Sequence, residues 1–145
     1  MEIFDSSCNQ LFPKLTGGNC EVTSPVTDEY NCIAWAAEDP SRWWWPIGAY
    51  WPPDVPRFET VESFIRAFNT LGFVVCDNGE LEEQFVKIAL YVNGGGVPTH
   101  MARQLRNGRW TSKMGQSNDI SHQDPYVIAD GCYGTVNCFL KKVCE

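Results

Sequence analysis

Apolar positions recur along the chain in two different rhythms. Val61, Phe64, Ile65, Phe68 and Leu71 fall at the spacing of one helix face, with Thr60 placed to cap that helix and Gly72 to end it. Upstream, Tyr30 to Glu38 is apolar on every side, as in a buried helix. Thr27 or Asp28 can cap it, and Asp39-Pro40 stops it because proline disfavours helix in the residue before it. From Phe73 onward the runs shorten and read as strands: 73–76, 86–92, 100–105, 110–113 and 135–140. Asp77-Asn78-Gly79, Gly94-Gly95-Gly96 and Gly131 to Gly134 supply turns or loops, and Asn107-Gly108 is a strong hairpin signal. Residues 1–26, broken by Pro13, Gly17, Gly18 and Pro25, read as irregular. Helices followed by an antiparallel meander make an α+β organisation, with the N-terminal helices packed on the sheet.

One segment fits neither rhythm. Residues 40–57 hold four of the six tryptophans, Trp43, Trp44, Trp45 and Trp51, among prolines that exclude regular structure. Two readings are open: a loop clamped over the core, or an aromatic platform in which Trp45 and Trp51 meet a sugar or peptide substrate.

At 145 residues the chain has the size of one domain, 1–145. A net charge of −7 argues against nucleic acid, which calls for a basic footprint. The one basic group, Arg103, Arg106, Arg109 and Lys113, reads as a solvated hairpin face, and Glu80, Glu82 and Glu83 as a solvated charge run or a helix first turn. No apolar run is long enough for a membrane span, and the N-terminal residues lack a secretory signal pattern, so the expected compartment is the cytoplasm.

Seven cysteines, an odd number with no CxxC pair, argue against a disulfide framework or a zinc site; no metal and no cofactor are expected. Most read as small buried hydrophobes. Cys32 differs, because it sits in or near the first turn of a predicted helix, with Asn31 as a possible cap, where backbone N–H groups favour a thiolate. A Cys–His pair would need His100 or His122, the two histidines of the chain. His100 opens a strand after a glycine-rich loop. Residue types alone leave a buried structural cysteine and a structural histidine the commoner reading.

Asn31-Cys32-Ile33-Ala34-Trp35-Ala36 resembles the Asp/Asn-Cys-helix motif of NlpC-type papain-like peptidases. His100 to Ser112 is similar to their hairpin, which has a catalytic histidine opening one strand and a polar orienting residue on the return strand. Lys87 to Val92 resembles the strand before it, and the order of cysteine before histidine agrees with that branch. The whole chain also resembles a group of bacterial proteins of unassigned function that share the Tyr-Asn-Cys-Ile-Ala-Trp, Trp-Thr-Ser-Lys-x-Gly and Tyr-Gly-x-Val runs. The resemblance implies a papain-like cysteine hydrolase (peptidase, amidase or deamidase) acting on a peptide, protein or amide substrate. Cys32 would attack and His100 would shuttle the proton, with Ser112 as orienter and Asp119 or His122 as substitutes from the following loop. Asn31 and Trp35 would then lie beside the substrate. Ser112 departs from the usual His, Asn or Gln of the pattern, and Ala34 stands near the place of a common glycine. The alternative is a catalytically inactive papain-like module for binding or immunity.

Overall fold

The computed structural model describes residues 12–14, 16, 18–114 and 118–144. In chain order these form β1 (Cys20–Val22), α1 (Cys32–Ala36), α2 (Val61–Asn69), β2 (Val74–Cys76), β3 (Phe85–Val92), β4 (Pro98–Gln104), β5 (Trp110–Lys113), β6 (Asp119–His122), a 3-10 turn (Pro125–Ile128) and β7 (Thr135–Val143). The strands make one antiparallel sheet in the order β1-β6-β5-β4-β3-β7-β2. This is an α+β domain. Among the described residues no helix is long and apolar enough to cross a membrane.

Both faces of the sheet are covered, which explains why its central strands are apolar runs and not alternating ones. Ile88, Leu90, Met101 and Leu140 face the helices and the tryptophan loop. Ala89, Tyr91, Ala102, Trp110 and Phe139 face the other way, toward Phe12, the 3-10 turn and Tyr133. Side chains on a strand alternate between faces, so neighbours His100 and Met101 belong to opposite layers. That parity decides the chemistry below.

The second helix forms as its pattern predicts. Thr60 Oγ1 accepts the Ser63 N–H at 3.2 Å, and Phe64, Ala67 and Phe68 are fully buried. The first helix is shorter than the sequence suggests and starts later. Of the three candidate caps it uses Asn31 and not Thr27 or Asp28, with Oδ1 accepting the N–H of Ala34 at 3.1 Å. The same oxygen accepts the Trp44 N–H at 3.1 Å, and Asn31 Nδ2 donates to the Trp44 carbonyl at 2.7 Å. Asn31 is therefore a buried clamp between helix and loop, and the substrate-contact role expected for it is corrected: its side chain is used up on backbone.

The tryptophan loop also packs inward. Trp44 and Trp51 are buried against α2, Trp51 with its ring 5.0 Å from Phe64 and Trp45 5.4 Å from the same ring. Trp51 Nε1 donates to the Pro56 carbonyl at 3.0 Å and Trp45 Nε1 to Glu59 at 3.2 Å. Trp51 thus acts as a clamp over the core, while Trp45 packs on Phe64 and stays half-exposed.

Three expectations change elsewhere. Residues 119–122 are a strand and not a loop, because Asp119 to His122 pair with Trp110 to Lys113 along their whole length. Among the described cysteines only Cys20 and Cys32 are buried, and Cys132 is exposed; Cys8 lies outside the described residues, as does half of the 1–26 segment. Glu82, expected in solvent, accepts hydrogen bonds from Lys141 and pairs with the buried Lys87 at 3.4 Å.

Candidate functional site

Cys32 is the first residue of α1, which packs on β4 and β5. These two strands pair at Arg103 with Thr111 and at Gln104 with Trp110, and the pairing goes no further toward Met101 and Lys113. The thiol lies over this opening, where the backbone N–H of Met101 donates to the sulfur. It is 8% exposed. Burial pushes the thiol up to about 11, while hydrogen bonds from Met101 and Ile33 and the charge of Lys113 pull it the other way.

Lys113 and Asp119 face each other across β5 and β6, on the Cys32 side of the sheet, and both are buried. Lys113 Nζ donates to the Thr27 carbonyl at 2.6 Å and stands 5.5 Å from the Tyr30 ring centre. Burial lowers the ammonium below its ordinary range, opposed by Asp119 and by Cys32. Tyr30 donates its hydroxyl to Asp119 Oδ2 at 2.5 Å, and burial, that carboxylate and its charge raise the phenol to about 12. Asp119 Oδ1 is buried with no hydrogen-bond partner. Trp35 closes the side of the cluster, stacked 5.3 Å from Tyr30, with Nε1 donating to Thr111 at 3.0 Å and Arg103 over its ring.

His100 is on the other face. It is fully buried, stacked on Tyr133 with ring centres 3.9 Å apart and planes 9° apart, beside Tyr91. Its Nε2 lies 3.0 Å from Ser112 Oγ, which lies 2.8 Å from His122 Nε2. His122 Nδ1 donates to the Asp124 carbonyl at 2.8 Å, and this fixes every other proton in the chain. His122 Nε2 accepts from the serine hydroxyl, Ser112 Oγ accepts from His100 Nε2, and His100 Nδ1 is left as an acceptor with no donor. Burial holds both imidazoles neutral. His100 falls well below its usual range, His122 adding to the effect, and His122 falls to about 4.

The expected residues thus separate into two groups. His100 and Ser112 do meet, and His122 joins them. Cys32 lies instead within the field of Lys113, which faces Asp119 across β5 and β6. The Cys32–His100 pairing is corrected by strand parity: the residue of β4 under Cys32 is Met101, and the sheet stands between the thiol and the imidazole. Lys113 was legible as a residue of the hairpin but not as a buried one, because the covering of its face by Thr27 and Tyr30 leaves no local mark. Among the described residues no group of His, Cys, Asp and Glu side chains could hold a metal ion.

A family model describing a domain of unknown function, DUF7689, matches residues 21–141. The chain belongs to the DUF7689 family. That match spans both polar groups, from Cys32 to His122. No curated protein and no solved structure matches the chain.

Proposed function

We propose that this DUF7689 protein is a cysteine hydrolase or acyltransferase of papain-like descent, with Cys32 as nucleophile and the Lys113–Asp119 pair, in place of a histidine, as its charge partner. The substrate class is an amide, ester or isopeptide bond of a peptide or protein. One observation carries the reading: the Cys32 sulfur, at the start of α1, lies over the unpaired end of β4 and β5 within the field of the buried Lys113. The Cys32 thiolate, favoured by the Lys113 ammonium, bonds to the acyl carbon as the carbonyl π pair moves to oxygen. The returning pair expels the leaving amine or alcohol, which takes the proton from Lys113. Water then cleaves the thioester and restores the thiol.

A catalytically silent binding module is the second reading. The deep burial of the thiol and its upward shift favour it. Alkylation by iodoacetamide, followed by peptide mass mapping, separates the two. Cys32 labelling faster than the exposed Cys132, and slowed about tenfold in Lys113→Met, supports the hydrolase. Cys32 labelling more slowly than Cys132 over the whole range from pH 7 to 10 ends it.

A further inference from the structure

We infer that the protein carries a second site, a cleft that binds an amphipathic carboxylate, at the sheet end away from Cys32. A cleft of about 810 Å³ lies where β3, β4 and β7 end beside the C-terminus of α2. That volume is in the range of small-ligand sites. Its walls hold three of the eleven basic residues of a chain whose net charge is −7, namely Arg103, Arg106 and Lys142, against one acid, Glu38. Such a concentration of positive charge runs against the field of the whole molecule.

The cations differ in what holds them. Arg103 is fixed: its Nε donates to the Trp35 carbonyl at 3.4 Å, and Nη1 lies 3.6 Å from Glu38. Glu38 thus offsets Arg103 and leaves the other two uncompensated by acids of the cleft. Among the described residues Arg106 reaches a sulfur, Cys144 Sγ at 3.8 Å, and Lys142 Nζ stands 4.9 Å from the Phe73 ring centre. Neither contact satisfies a charged donor as an oxygen anion would. Between them the wall is apolar, from Leu71, Phe85 and Val86. Two cations at a greasy wall fit a carboxylate with a hydrocarbon tail, whether a free acid or the C-terminus of a peptide.

Hexanoate is the probe, with hexylammonium and inorganic phosphate as controls at matched ionic strength, followed by amide chemical shifts in two-dimensional NMR. Hexanoate is expected to shift Leu71, Gly72, Arg106 and Cys144 saturably, with a dissociation constant on the order of 1 mM for about eight heavy atoms. The double variant Arg106→Glu/Lys142→Glu, at an exposed and a half-buried position, should keep the native spectrum and weaken hexanoate roughly tenfold or more. A short peptide ending in leucine, compared with its C-terminal amide, distinguishes the two sources: tighter binding of the free-acid peptide than of hexanoate assigns the site to chain ends. Equal shifts with hexylammonium, phosphate binding as tight as hexanoate, or unchanged affinity in the double variant would each overturn the assignment.

Discussion

Mild acid should unfold this protein earlier than its carboxylates alone would dictate. The perturbation is protonation of the buried His100–Ser112–His122 chain. An imidazole whose folded pKa lies below its unfolded value binds its proton more readily in the unfolded chain, so stability is full above about pH 6.5 and drains away as the pH falls toward the folded value. For His122, about 4 folded against 6.5 unfolded, linkage removes about 2 kcal/mol between pH 7 and pH 5 and about 3 kcal/mol by pH 4. His100, also held low by burial, acts in the same direction. Ordinary carboxylates stay ionised down to about pH 5, so the upper part of this window belongs to the histidines. Urea unfolding followed by tryptophan fluorescence at pH 7 and pH 5 measures the loss directly. His122→Gln keeps an acceptor for Ser112 and removes one titration, and the pH-dependent loss should shrink by about 2 kcal/mol. A wild-type loss under about 1 kcal/mol, or the same loss in the variant, would refute the reasoning.

Asn31→Ala removes a helix cap and two further bonds to Trp44, and should lower unfolding free energy by about 2–3 kcal/mol in a denaturant titration. Tyr30→Phe leaves the buried Asp119 carboxylate without its hydroxyl donor, at a cost of about 1–3 kcal/mol by the same assay. Phe64→Ala opens a cavity under Trp45 and Trp51 and should cost about 3–5 kcal/mol, with a shift in tryptophan emission reporting the loosened loop.

Local signals recovered the local structure. The α2 stripe, its Thr60 cap, the β3 run and the Asn107-Gly108 hairpin are each specified by residues close in sequence, and each formed where expected. Asp119 to His122 carries no strand signal of its own because it is short and mostly polar, and its pairing with β5 and β1 is what makes it one. The expected Cys32–His100 pairing parts from the structure at a single step of parity. Ser112 beside His100 follows from hairpin register, since both lie on one face; which face α1 covers depends on how residues 37–84 route the chain, and nothing local encodes that. Lys113 and Asp119 were visible as charges, yet their burial comes from Thr27 and Tyr30, nearly ninety positions away from Lys113 in sequence.

The turn from Asp130 to Gly134 closes onto the end of β3 at Val92. Gly134 adopts φ +75, and a methyl group there would come within 2.0 Å of the Val92 carbonyl oxygen. Its neighbour Tyr133 is the lid on the His100 ring, and Thr99 Oγ1 donates to the Tyr133 carbonyl at 2.5 Å. A side chain at 134 collides with the β3 backbone, and the turn that must give way carries the tyrosine that covers the imidazole, so a substitution there is expected to lower the acid tolerance of the domain.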